Sequence, residues 1–475
     1  MRASRGSSAS RSSTTSTCIT VASSTPISAS WESSRRSCGT SSTTLPSSSR
    51  ERPRSRSENL AAQPPNPRGS DATSAGPLRA PAPIAFLWSA QFFSQFGDSV
   101  FQLAFIWLIL DLTGSKSATG IAATISYLPS LIFGIGAGLL VDRWNRRIVM
   151  IGADAARAAL LAASTVLYLT GALTPIFLTA IAFGAATASV LFYPARDAML
   201  PELVSREGLN RANAWVQLSQ QGAFFAGPMV AGYLIKRFGV VSAFPTGALF
   251  FLCSLGALLF LRGAGAGHRR SDPNRISLSQ DFRSGLKAIA SDRTLVLLLG
   301  LTALNNLFIM GPAIVGTAVL VRDTIHGDAS AYALVEATYG VAMILGSLTI
   351  GRLGARVGYG RLLLIGITMD GLTYVPILVC KTLPLLIAIS FVHALVIPVI
   401  TIPRTTLVQG MILPRLQGRV FALVNVVVLG TTAISSGLTG LVLDHMGAPA
   451  LFGWIGSLAT ATGLLGFASR RLRGL

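Results

Sequence analysis

The sequence predicts an all-α polytopic membrane protein: twelve transmembrane helices in two six-helix halves, preceded by a disordered Ser/Arg-rich tail. Three observations carry this. The chain of 475 residues is 51% hydrophobic and only 12% charged, with a mean hydropathy of +0.58, whereas soluble domains carry about 25% charged residues. From Ile84 onward, apolar runs recur that are each near the length needed to cross hydrocarbon as a helix. A helix satisfies its own backbone there, which an open strand cannot. Finally, the basic residues fall between the runs, on alternate sides.

The elements follow in order. Ser and Thr make up 29 of the first 60 residues, and the stretch 1–80 has 11 Arg and no Lys. It buries too little to offset its ordering entropy, so it is expected to be disordered. An extension without function, a solvated cytoplasmic tail and a targeting peptide all fit it. The expected spans are 84–110, 118–141, 148–169, 174–194, 212–235, 240–261, 294–320, 330–350, 362–380, 384–402, 420–443 and 448–468. The basic connection 263–293 separates an N-terminal half, 84–262, from a C-terminal half, 294–470. With the N-terminus placed in the cytoplasm, the cytoplasmic connections carry 22 Lys and Arg and the opposite ones 5. That asymmetry predicts a cell-membrane protein with both termini cytoplasmic.

The same arithmetic excludes other classes. A pI near 11.1 suggests nucleic acid, but cations confined to loops between apolar runs read as membrane orientation instead. Cys18, Cys38, Cys253 and Cys380 show no metal-ligand spacing and read as small apolar side chains. The sequence shows no nucleophile elbow, paired zinc ligands or P-loop, so neither an enzyme, a metal site nor a cofactor is expected.

An internal repeat supports the two halves. Gly138, Leu140 and Arg143 recur 213 residues later as Gly351, Leu353 and Arg356, with Ala355 where Asp142 would stand. Related halves are a transporter architecture, with the substrate site between them near the midplane.

The stretch Gly138-Leu-Leu-Val-Asp142-Arg143-Trp-Asn145-Arg146-Arg147 resembles the loop signature of the major facilitator superfamily, with Asn145 in place of a Gly. Asn tolerates a left-handed conformation, so the departure reads as mild. Gly222, Gly227, Pro228, Ala231 and Gly232 resemble that superfamily's antiporter signature. Pro194 to Val204, Leu209 to Ala214 and Gly418-Arg419-Val420 are similar to its macrolide-efflux and enterobactin-exporter type. The resemblance covers 84–470. It implies an exporter of amphipathic, drug-like or siderophore-like molecules driven by proton entry. It also implies that Asp142 faces the start of span 11. Arg146 is expected to pair with Asp197, closing a cytoplasmic gate, and Arg147 reads as plain topology. An uptake symporter or a uniporter for a small metabolite is the alternative. The expected partners are a small-molecule substrate, protons and the bilayer, and the chain is expected to act as a monomer.

Polar side chains inside apolar spans nominate the site. Gln91, Gln95, Asp98 and Gln102 share one face of span 1. Tyr332, Glu336 and Tyr339 on span 8, Asn213 and Gln217 on span 5 and Asn425 on span 11 complete a candidate cavity. A charge in a span is costly and marks function, so Asp98, Glu336 and Asp370 are the proton-coupling candidates. Asp154 and Arg157, three apart on span 3, are expected to form a structural pair. His393 reads as a packing group.

Overall fold

A computed structural model describes residues 82–204, 208–261 and 278–475. The tail 1–80 and residues 263–277 of the 263–293 connection lie outside them, as do a few side chains within the helices, Asp142 and Ala355 among them.

The first six helices are α1 (Ala82–Thr113), α2 (Lys116–Arg143), α3 (Arg146–Leu169), α4 (Pro175–Leu203), α5 (Leu209–Phe238) and α6 (Ala243–Phe260). The connecting helix is α7 (Leu278–Ser291). Next, α8 (Arg293–Gly311) runs on through a π-turn at Pro312–Gly316, the short α9 (Thr317–Val319) and a second π-turn at Leu320–Thr324. Pro312 removes one backbone donor where this widening begins. The rest are α10 (Ala329–Val357), α11 (Tyr359–Leu372) with a 3₁₀ turn at Val375–Val379, α12 (Leu383–Met411), α13 (Pro414–Leu443), α14 (Ala448–Gly466) and α15 (Arg470–Arg473).

Among the described residues, 11 helices are long and apolar enough to cross a membrane. The expected twelfth, α5, spans 30 residues but is too polar, because Asn213, Gln217, Gln220 and Gln221 crowd its first half. It is packed between α1 and α10, so those amides sit on a helix that protein flanks on two sides.

Local chemistry sets the boundaries. The carboxylates of Asp292 and Asp328 accept from backbone amides to start α8 and α10, Asp292 from Thr294 at 2.8 Å and Asp328 from Ala331 at 2.9 Å. Partial burial alone would raise Asp328, but hydrogen bonds from Ser330 and Ala331 and the nearby Lys236 outweigh it and hold the carboxyl below its ordinary value. Asn145 does not adopt the left-handed conformation expected of it. Its φ is −65°, and its side chain accepts from the amides of Arg147 and Ile148 as the N-cap of α3. Asn stands here because it is among the strongest N-caps.

Two seams join the first six helices to the later ones: α2 against α13, and α5 against α10. Both depend on missing side chains. A Cβ on Gly120 would fall 2.6 Å from the Ser436 carbonyl oxygen, and one on Gly232 would fall 2.8 Å from the Ala333 side chain. Small residues let helix backbones approach this closely. The α2–α13 seam is tightest at the end carrying the α1–α2 loop. There Thr124 donates to the Ala433 carbonyl at 2.8 Å, Lys116 reaches the Leu443 carbonyl at 3.2 Å and Asp323 at 3.4 Å, and Ser117 bonds Asp444. Toward the other end it loosens: Leu131 still touches Gly430 at 3.7 Å, but Gly134, Gly136 and Gly138 have nothing within 4 Å of their Cβ positions.

Candidate functional site

Two clusters of polar side chains lie inside the bundle, and one half-buried carboxylate lies between α10 and its neighbours.

The first cluster surrounds Arg157 of α3, whose side chain is 0% exposed. Its guanidinium donates to Asp98 of α1 at 2.9 Å, to Ser189 of α4 at 3.2 Å and to Ser94 of α1 at 2.7 Å, and it pairs with Asp154 one turn back. Phe192 and Phe251 cover it, with ring centroids 4.8 and 4.4 Å from its carbon. Asp154 also accepts from Ser254 of α6 and from Ser94 at 3.3 Å. Asp98 accepts from the Tyr193 hydroxyl at 2.7 Å. Four helices thus converge on two carboxylates and one guanidinium, and one negative charge is in excess. The carboxylates differ in access: the Asp154 side chain is 0% exposed and that of Asp98 is 28% exposed. Asp98 is therefore the carboxylate of the cluster that solvent touches.

The sequence reading treated Asp98 as an isolated acid and Asp154–Arg157 as a separate pair. The structure places all three together. Ser94, Ser189, Tyr193 and Ser254 were missed. Their signal was present in part: Ser94 lies four residues before Asp98, and Ser189 and Tyr193 are four apart, so each couple shares a helix face.

The second cluster lies in the later helices. Asp370 of α11 is 2% exposed, accepts from the Asn305 amide of α8 at 2.8 Å and lies 3.6 Å from Nδ1 of His393 on α12. Thr373 is 2.8 Å from the same imidazole nitrogen. Tyr374 stacks on the ring at 4.2 Å, and Tyr339 meets its edge at 5.7 Å. His393 is therefore the neighbour of an acid that showed no partner in the sequence.

Glu336 of α10 is half-buried, within electrostatic reach of Tyr127 on α2 and of Tyr332 and Tyr339 on its own helix. Gln102 of α1, itself exposed, donates to the Tyr127 hydroxyl at 3.2 Å. Trp107 of α1 stacks on Tyr332 at 5.9 Å.

Other nominated residues are distributed as follows. Gln91 does not line a cavity: it is fully buried and donates to the Val216 carbonyl at 3.0 Å, tying α1 to α5. Tyr332 is 3% exposed and packs between helices, its hydroxyl 3.4 Å from the Ile314 carbonyl. Gln95 is half-buried, and Asn213, Gln217 and Asn425 are exposed. Arg146 does not meet Asp197. It donates to the Ala198 carbonyl at 3.0 Å and pairs with Glu202. Ala198 and Glu202 are four apart on one face of α4, whereas Asp197 is 63% exposed and pairs with Arg196. Arg147 is more than topology: it donates to the carbonyls of Leu258 and Leu259, both at 2.8 Å, at the C-terminus of α6. Arg143 is exposed. In the antiporter-like stretch, Gly222 has Phe92 3.8 Å from its Cβ position, while Gly227 packs on Ser99 of α1 and Gly232 on α10. Pro228 lies inside α5.

Comparison with known proteins agrees with this architecture. Residues 72–473 match the family described as transmembrane secretion effector. The chain is 26% identical over 372 residues to macrolide efflux protein A of Streptococcus pyogenes, covering 76% of this chain and 89% of that protein. It is 33% identical over 220 residues to the multidrug efflux pump Tap of Mycobacterium tuberculosis strain H37Rv, covering 45% of this chain and 52% of the pump. The crystal structure of the nucleoside transporter NupG superposes with a TM-score of 0.65 at 12% identity, over 81% of this chain and 98% of that one. A bacterial ferroportin homologue in its inward-facing state gives 0.64 at 16% identity, over 81% and 97%. At such identities these two show the fold alone. The chain belongs to the transmembrane secretion effector family of the major facilitator superfamily, and it is a multi-pass membrane transporter with efflux-pump relatives and small-molecule substrates, not an enzyme.

Proposed function

We propose that the protein exports amphipathic, drug-like or siderophore-like molecules from the cytoplasm in exchange for protons, with both termini on the cytoplasmic side. The observation that carries this reading is the Asp98–Arg157–Asp154 cluster: two carboxylates share one buried guanidinium, and only Asp98 is open to solvent. One proton on Asp98 balances the charge of the cluster. Its departure restores a net negative charge inside the bundle, where a lone charge costs about 3 kcal/mol. A protonation change at a site joining α1, α3 and α4 can therefore shift the balance between two packings of the bundle.

In this reading the helices 84–262 and 294–470 rock against each other about the α2–α13 and α5–α10 seams. The seam is tight at the end carrying Lys116, Asp323 and Asp444, and Arg143, Arg146, Arg147 and Arg419 lie toward the opposite, looser end. The positive-inside rule makes that looser end cytoplasmic, so the conformation is open inward. Asp142 is proposed to serve the cytoplasmic gate with Arg146. Glu336, with Gln95, Gln102, Asn213, Gln217 and Asn425, is proposed to line the path that substrate takes.

Purified protein in sealed vesicles tests the reading. An inward pH gradient, acid outside a right-side-out vesicle, should drive a fluorescent amphiphile from the lumen outward and collapse as it does so. Uptake with the protons, or flux indifferent to the gradient, contradicts it.

A further inference from the structure

Among the described residues, the Asp370 cluster has no fixed cation. The carboxylate meets one neutral amide, Asn305, and one imidazole, His393. All the elements packed around it can be surveyed. α8 brings Asn305; α10 brings Tyr339, with Glu336 one turn before it; α12 brings His393; the turn after α11 brings Tyr374. α14, which packs along α11, contains no titratable residue, and α15, which carries Arg470, Arg471 and Arg473, meets α11 at Gly360 and Arg361, at the opposite end of α11 from Asp370. An anion this deep, with no arginine or lysine against it, is not a stable arrangement.

The hydrogen-bond inventory points the same way. Asp370 Oδ1 and Asn305 Oδ1 are buried without a hydrogen-bond partner. Both are acceptors only, so these two atoms lack a hydrogen. Thr373 can serve either state of its neighbour. Its hydroxyl is 2.9 Å from the Asp370 backbone carbonyl and 2.8 Å from His393 Nδ1. If the single hydroxyl hydrogen goes to the carbonyl, Nδ1 must carry a hydrogen. If it goes to Nδ1, the ring is a neutral acceptor there.

We propose that Asp370 and His393 hold one proton between them, forming a second proton-binding site inside the later helices, distinct from the Asp98–Arg157–Asp154 cluster. The proton sits on the carboxyl with a neutral imidazole, or on the imidazole beside a carboxylate; both forms leave the pair uncharged. Its loss leaves one negative charge on the pair. The role of this proton in transport rests on the exchange reading above, but its existence does not.

The test is a pH titration by infrared difference spectroscopy on the purified full chain carrying Asp98→Asn and Glu336→Gln; because Asp154 and the other histidines still titrate, the spectrum is read as the difference between this chain with and without Asp370→Asn. No substrate is added. The expected result is one band, protonated carboxyl or imidazolium, that vanishes on alkaline titration. Asp370→Asn should abolish it. His393→Gln should shift the midpoint by about one pH unit, a tenfold change in proton affinity, and this variant reports on the pair even if the Asp370 variant does not fold. A band that survives Asp370→Asn, or a midpoint unmoved by His393→Gln, overturns the proposal. Titration intact with no proton-driven flux removes only the exchange reading. Flux intact with no titration removes only this site.

Discussion

The two buried acid clusters solve one problem in opposite ways. Asp154 and Asp98 share a guanidinium that cannot be deprotonated, and serines from α1, α4 and α6 and Tyr193 supply further hydrogen bonds, leaving only the Arg157 Nε without one. Asp370 has an amide and an imidazole, and its neighbourhood retains orphaned acceptors. The first cluster is held together by a permanent charge. The second has no permanent charge, so its electrostatics depend on a proton. The two sites therefore differ in whether the counter-charge is fixed, not in the number of charges.

Substitutions can break or sharpen this contrast. The largest effect is expected for Arg157→Met. Removing the guanidinium leaves two carboxylates buried side by side, a loss of about 3–5 kcal/mol. Thermal unfolding in a fixed detergent should show a clear drop, and Asp154→Asn in the same chain should recover part of it. If Arg157→Met unfolds like the parent, the first cluster does not depend on its cation.

Smaller effects should separate the clusters by redundancy. Asn305 gives Asp370 its one short side-chain hydrogen bond, so Asn305→Ala should cost about 1.5–3 kcal/mol if the acid is charged and about 1 kcal/mol if it is protonated. Ser254→Ala takes one donor from Asp154, which keeps Arg157 and Ser94, and should cost about 1 kcal/mol or less. The unfolding shift should therefore be the larger for Asn305→Ala; the reverse order would contradict the difference in partnering. His393→Gln should be the mildest, since Gln keeps a polar group near Thr373 and no fixed charge is lost. A shift as large as that of Arg157→Met would mean that His393 supplies a permanent charge.

Much of the fold was legible because a bilayer leaves few choices. Apolar runs of spanning length, with cations mostly in the loops, located every long helix, but α4, α10 and α12 run on to Leu203, Val357 and Met411, past the expected ends at 194, 350 and 402, and α13 starts at Pro414, before the expected 420. The polar α5 was expected as an apolar run over 212–235, and its amides keep it from being one. The site was legible residue by residue but not as pairs. Helical spacing finds neighbours three or four apart, which is why Asp154 and Arg157 could be matched. It is silent on partners 59 residues apart such as Asp98 and Arg157, or 65 apart such as Asn305 and Asp370. Asp197 was chosen for Arg146 by loop proximity, and rotation about α4 gave the place to Glu202. Gln91 was read as cavity-facing because its helix face is polar, yet that face also packs on α5.

The central claim is that Asp98 is where the driving proton binds. Asp98→Asn keeps the shape and can still bond to Tyr193 and Arg157, but it cannot titrate. The direct measurement is flux in sealed vesicles under two regimes. With equal pH on both sides, the Asn variant should exchange labelled for unlabelled substrate across the membrane as the parent does. Under an imposed pH gradient it should fail to accumulate substrate, and its flux should lose its pH dependence. Full gradient-driven accumulation by Asp98→Asn, with the parent's pH profile, would contradict the account and move the coupling site to Glu336 or Asp370.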